Sequence, residues 1–335
     1  MNILIRIIIY LLFSTIFIKI LPSYTTDSYQ IKMVGSSTVY PFAIIMSGLF
    51  EKINVVLPTI ESNGSGGGFK LFCEGVGDSY PDIANSSRPI KSQELKDCEK
   101  NGVSPPLEVI IGYDAITLIH NKNLTTFNLT TQEIFLALAE FIPDINNNLI
   151  KNPYKLWSDI NKNLPKIPIK VLGPPSSSGT KDSFLELAFK KGCNSLHIKD
   201  ENICTSIRQD GAWIISGEDD HLIITKVSNS SDLIGILGYN FYIENKDKLQ
   251  AISINSITAT EENILSNKYT LSRPLYMYFK TEHILLEPTL LKFLNFILAN
   301  NILGFNGYLA EKGLIPITEK EKSTTLTSIS NIQIK

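Results

Sequence analysis

The chain has 335 residues, enough for two globular lobes of ordinary size or one large α/β unit with a substantial core. Lys and Arg total 31 against 33 Asp and Glu, a net charge of −2, with 19% charged and 43% hydrophobic residues, which excludes a disordered chain. No run of Lys and Arg occurs, so a partner bound by phosphate neutralisation is not expected, and nucleic acid least of all.

The first element is a leader. Arg6 precedes an uncharged run, Ile7 to Ile18, of 12 residues broken only by Ser14 and Thr15, and Lys19 follows it. A spanning helix needs roughly 20 apolar residues, whereas a secretory signal has about 7 to 15 behind a positive charge. Residues 1–26 therefore read as a signal peptide with cleavage near Ser23, an uncleaved anchor being the alternative because no Ala-x-Ala precedes the cut. Its removal takes away Arg6 and Lys19 and no acid, moving the net charge from −2 to −4. The expected location is the periplasm. Cys73, Cys98, Cys193 and Cys204 form no Cys-x-x-Cys and have no His at zinc-ligand spacing. In an exported chain an even count points to disulfides, and of three possible pairings Cys73 with Cys98 and Cys193 with Cys204 close the shortest loops.

Beyond the leader, short β-rich and helical runs alternate: Gln30 to Val34, Phe42 to Lys52, Val55 to Glu61, Gly68 to Glu74, Asp82 to Asn85. Val109 to His120 is a long apolar strand, Ile167 to Leu172 another, Thr180 to Lys190 a helix and Leu233 to Tyr239 a strand. This predicts an α/β fold with a mainly parallel sheet. Residues 318–335, rich in Ser, Thr, Glu and Lys, predict a loosely ordered polar tail. Trp157, Trp213 and Tyr276 read as core rather than as a sugar platform.

Three hydroxyl- and glycine-rich loops carry the chemistry. They are Gly35-Ser-Ser-Thr-Val-Tyr-Pro41, Asn63-Gly-Ser-Gly-Gly-Gly68 and Gly173-Pro-Pro-Ser-Ser-Ser-Gly-Thr-Lys-Asp182. Each follows a strand and precedes a helix, where free N–H groups and the dipole favour an anion. Glycine lets backbone N–H groups approach an oxyanion, and Ser or Thr adds a neutral donor. The plain alternative is three turns with helix caps. The P-loop order is not met, since Gly179 is followed by Thr180-Lys181, and Gly64, Gly66 and Gly68 do not form Gly-x-Gly-x-x-Gly. A phosphoester hydrolase would need a base or metal beside a loop Ser, yet His120, His197, His221 and His283 all fall outside the loops. There is no Gly-x-Ser-x-Gly and no His-Glu-x-x-His. Neither a catalytic group, a metal nor a cofactor is expected.

Together with Pro81-Asp-Ile-Ala-Asn-Ser-Ser-Arg-Pro89, Gly112-Tyr-Asp-Ala-Ile116, Ile234-Gly-Ile-Leu-Gly-Tyr239 and Gly307-Tyr-Leu-Ala-Glu-Lys-Gly-Leu-Ile315, these loops resemble the exported phosphate-binding proteins that feed bacterial ABC phosphate importers. The resemblance runs from about residue 30 to 316. It implies a type II periplasmic-binding-protein fold: two α/β lobes, joined by two crossing segments, with inorganic phosphate in the cleft and a membrane permease as partner. With crossings near Leu107 to Asp114 and Ser272 to Phe279, lobe 1 would comprise residues 27–112 and 272–317 and lobe 2 residues 113–271, in a monomer. By the same resemblance the phosphate ligands would be Ser37, Thr38 and Val39; Ser65 and Gly66; and Ser178, Gly179 and Thr180.

Two positions depart from the family pattern. Ser87 stands where family members carry an Asp, and Pro174 where they carry an Arg four residues before Ser178. Arg88 is the candidate for the displaced guanidinium, whose fork matches two phosphate oxygens. Asp114 is the candidate acceptor for a phosphate proton, with Asp82 second, although a turn or cap suits Asp82 better. Sulfate or molybdate is the alternative ligand, distinguished by whether a carboxylate lines the site.

Overall fold

The computed structural model describes residues 29–54, 56–175, 178–217 and 220–333; the expected leader lies outside them, as do Ser176 and Ser177 of the third loop. The main strands are β1 (Lys32–Gly35), β2 (Thr59–Ser62), β3 (Ile83–Ser86), β4 (Leu107–Asn121), β5 (Val171–Gly173), β6 (Trp213–Ile215), β7 (Ile234–Gly238), β8 (Leu249–Ala251) and β9 (Ser272–Phe279). They run β2-β1-β3-β9-β4-β7-β5-β6, with β8 also on β4. Strands β2, β1 and β3 are mutually parallel, as are β7, β5 and β6, and the joins between the two sets are antiparallel.

Strand β4 makes one sheet of two. Its residues Leu107 to Ala115 pair with β9, and Ile116 to Ile119 pair with β7. Each half has its own core. One packs around Phe50 and Phe293, ring centroids 5.1 Å apart and edge-on, with Val109 and Met277. The other gathers Phe135, Phe184, Phe189, Trp157 and Trp213. This is the two-lobed α/β architecture expected, with Trp157, Trp213 and Tyr276 buried.

Several expected elements shift. The strands expected from Val55 and Ile167 begin later, at Thr59 and Val171, after Pro58 and Pro168, which cannot donate to a ladder. Helix α1 spans Tyr40–Asn54. Helix α2, expected from Gly68, spans Gly64–Phe72, so the glycine run is its first turns rather than a loop. The reason is close packing. A Cβ on Gly68 would lie 2.5 Å from Gly35 Cα, and one on Gly35, at φ +129°, would lie 2.1 Å from the Asn85 carbonyl oxygen. Gly68→Ala is therefore expected to cost about 1 to 3 kcal/mol by overpacking, read as a lower urea midpoint at unchanged slope.

Helix α3 (Ser92–Lys100) is tied to the end of α2 by Cys73–Cys98, and Cys193–Cys204 closes the second, shorter loop. The segment expected to be a loose tail is instead a helix, Glu319–Gln333. Thr318 caps it: its N–H and hydroxyl donate to Glu321 Oε2 at 2.7 and 2.8 Å, and Glu321 N–H returns to Thr318 Oγ1 at 3.2 Å. Ile329 is buried in the Phe50 core, and Tyr113 on β4 donates to Glu321.

Asp82 is not in the cleft. It is buried just before β3, accepting from Lys32 N–H at 2.7 Å and from Tyr29, with His283 Nδ1 2.6 Å away, so it ties the start of β3 to β1. Nearby Lys280 is fully buried against Phe72 and bonds the Gly75 carbonyl. Burial lowers its pKa from 10.5 to about 8. Between these values the unfolded chain binds the proton that the folded one has released, so this group's contribution to stability rises with pH through that window. Lys280→Met should remove that rise in denaturation measured from pH 7 to 10.5.

Candidate functional site

The first loop leaves β1 at Gly35 and enters α1. Ser36 N–H donates to the Asn85 carbonyl at 2.9 Å, fixing the loop against β3, and Val39 is buried beneath it. Ser37 is exposed and Thr38 half-buried. Thr38 Oγ1 accepts from Arg273 Nη2 at 2.9 Å.

Arg273 is the residue that sequence reasoning missed. It lies on β9 directly opposite Asp114 on β4, and its side chain is only 6% exposed. Nη2 also donates to Ser183 Oγ at 2.8 Å, Nη1 donates to Glu186, and Nε faces Asp114 Oδ2 at 3.5 Å. Ser183 Oγ in turn donates to Asp114 Oδ2 at 2.7 Å. Arg273 thus joins the first loop of one lobe to the helix behind the third loop of the other. The signal was present in the sequence. Arg273 is the one charged side chain in the crossing strand Ser272–Phe279, and a charge is placed in such a strand only with partners to receive it.

The third loop ends at helix α4 (Gly179–Phe184), whose N-cap Ser178 accepts from Thr180 N–H at 3.3 Å. A π-helical turn, Leu185–Phe189, continues it. Ser183 and Glu186, three residues apart across that junction, both reach Arg273. Such turns recur at functional sites because the wider coil re-aims side chains.

The second loop forms a neighbouring group. Ser65, in the first turn of α2, accepts from Ser87 N–H at 3.1 Å, and the two hydroxyls lie 3.3 Å apart. A Cβ on Gly66 would lie 3.7 Å from Arg88 Nη2, so Arg88 borders the second loop. Its fork, however, is spent on Glu94, at 2.9 and 2.7 Å, above the Phe69 ring. The Glu94 hydrogen bond, more than the charges of Glu94 and Glu186, raises the Arg88 pKa further. Of the residues singled out in the sequence, Thr38 and Asp114 meet through Arg273, Ser65 meets Ser87, and Arg88 is paired elsewhere. Among the described residues no cluster of three or more His, Cys, Asp or Glu could hold a metal.

A family model described as a PBP superfamily domain matches residues 22–301. The SphX protein of Synechococcus elongatus is 31% identical over 294 residues, covering 85% of this chain and 77% of that one. The phosphate-binding protein PstS of Staphylococcus saprophyticus is 29% identical over 314 residues, covering 90% and 85%. The crystal structure of a possible phosphate binding protein from Planctomyces limnophilus superposes with a TM-score of 0.73 at 25% identity, covering 91% of this chain and 99% of that one. With its two lobes, its crossing strands and relatives matched over most of their length, the chain belongs to the PBP superfamily and stands among its PstS- and SphX-like members.

Proposed function

We propose that the protein captures inorganic phosphate between its lobes and delivers it to the membrane permease of an ABC importer, acting as an exported monomer without catalysis. The observation that carries this reading is Arg273, a buried guanidinium bonded to hydroxyls of both lobes and backed by Asp114. It supplies the cation that the resemblance assigned to a different position, and it takes that role from Arg88. The Thr38 hydroxyl and the loop N–H groups about Ser37, Ser65, Gly66 and Gly179 supply neutral donors, while Ser183, Val39, Ser178 and Thr180, whose own donors are bonded within the protein, shape the loops around them. The named phosphate-binding relatives support the ligand, and two disulfides suit an oxidising compartment.

Asp114 gives the selectivity. Phosphate at neutral pH still carries an O–H, which a carboxylate accepts, whereas sulfate has none and is repelled. A carboxylate has about four lone-pair sites, so bonds to Ser183 and Arg273 leave Asp114 acceptor capacity. Calorimetric titration of anion-stripped protein should give one-to-one phosphate binding with sulfate inert. Asp114→Asn should weaken phosphate about tenfold or more while admitting sulfate, since charged hydrogen bonds contribute about 1.5 to 3 kcal/mol. Equal binding of the two anions by the unmodified protein would overturn the role of Asp114, and binding of neither by folded protein would overturn the function.

A further inference from the structure

Every nitrogen of Arg273 already faces a protein group: Nη2 donates to Thr38 and Ser183, Nη1 to Glu186, and Nε faces Asp114. Of its five N–H groups, two make no hydrogen bond, the second on Nη1 and the buried Nε–H, so an anion that reaches Nη1 shares that nitrogen with the Glu186 carboxylate. Ser183 is 1% exposed, and the Asp114 side chain 22%, held by Ser183 as well as by Arg273. The Glu186 side chain is 49% exposed, so it regains water most readily on leaving.

We propose that Glu186 is a built-in competitor for the anion site: its carboxylate holds the Nη1 edge of Arg273, yields that edge to the incoming anion and swings into solvent, thereby setting the affinity. This inference rests on the phosphate reading.

Charge supports it. With Asp114 and Glu186 both on one guanidinium, an arriving anion would add a third negative group to a single buried cation, and departure of Glu186 restores the balance. The Glu186 carboxylate is also felt by two cations bonded elsewhere. Its charge helps to keep Arg88 protonated and opposes the lowering that burial imposes on Lys191, whose ammonium bonds the Thr270 carbonyl at 2.9 Å. The carboxylate's one direct cation contact is Arg273, so that edge is the place where an incoming anion competes with it.

The test is titration of the exported protein, stripped of bound anion, with inorganic phosphate, comparing it with Glu186→Gln and Glu186→Ala. Glu186→Gln keeps size and hydrogen bonding and removes only the charge, and it is expected to bind phosphate about tenfold more tightly, the lower end of what close charge pairs give. In Glu186→Ala, added acetate should compete with phosphate by taking the vacated edge, whereas acetate should not compete in the unmodified protein. Thermal melts establish that each variant is folded. Unchanged or weaker phosphate binding by Glu186→Gln, beside an unmodified protein that binds it, overturns the proposal and leaves the function standing. So does failure of acetate to compete in Glu186→Ala. If the unmodified protein takes no phosphate, the function and the proposal fall together.

Discussion

Arg273→Met is expected to weaken phosphate binding by at least about 30-fold, because truncating one partner of a buried charged cluster costs about 2 to 5 kcal/mol or more. The loss has two sources. The anion forfeits the guanidinium that bonds both lobes, and Asp114 and Glu186 are left without the cation they share. Arg273→Lys should fall between the two, since an ammonium is a point charge that cannot serve Thr38, Ser183, Glu186 and Asp114 from one plane. Arg88→Met is the companion measurement. Its fork belongs to Glu94, so phosphate affinity should change less than about tenfold, and the main effect should be lower stability where α3 docks. Titration of all three variants, with melts as a folding control, decides between the two arginines. A larger affinity loss for Arg88→Met than for Arg273→Met would return the anion to the second loop.

Reduction of the disulfides is expected to be the largest single loss of stability. Loop-closure entropy gives about 3.5 kcal/mol for Cys73–Cys98 and about 2.8 kcal/mol for Cys193–Cys204, whose separations are 25 and 11 residues. A domain of this kind has about 5 to 15 kcal/mol in all, so removal of both bonds should bring the unfolding midpoint close to ambient temperature. The lobes should respond separately. Cys73→Ser with Cys98→Ser should loosen α2 and α3, and with them Ser65 and Ser87, whereas the Cys193 and Cys204 pair should affect the helix behind Glu186. Proteolysis by a nonspecific protease, followed by mapping of the first cuts, would show whether each loss stays within its own lobe.

What the sequence disclosed follows the range of the interactions concerned. The three loops, the long strand from Val109 and both disulfides rest on local signals, Gly and Ser runs before amphipathic segments, a long apolar run, cysteines that close short loops, whereas the crossing at Ser272–Phe279 came only with the family resemblance. The helix at Glu319–Gln333 escaped notice because its apolar residues are sparse, Leu326, Ile329 and Ile332 among ten or more polar ones, and of these only Ile329 and Ile332 reach the core while Leu326 is exposed. The early start of α2 could not be read either. Four glycines in Gly64–Gly68 argue against a helix on propensity, and the contact that overrides this is with Gly35, about thirty residues earlier. Arg273 is the deepest case. Its partners lie at positions 38, 114, 183 and 186, so no window of sequence contains the site. Arg88 drew attention because it stands inside a family motif, while its real partner, Glu94, sits six residues on at the start of a helix.

The pairing of β4 with β9 carries a mechanical consequence. Leu275 faces Gly112 and the next residue, Tyr276, faces Ile110, so Ile111 is an extra residue that interrupts the ladder. Beside it Gly112 has φ +152°, and a Cβ there would meet Leu314 at 2.5 Å. A bulge interrupts the ladder and bends the strand, so the pairing of β4 with β9 is least stiff at this point. It lies two residues from Asp114 on one strand and two from Arg273 on the other. The softest point of the crossing and the charged pair are therefore neighbours: a slight change in how Arg273 and Asp114 share their bonds would alter the angle between the two halves of the sheet, and that change would be largest at their outer rims.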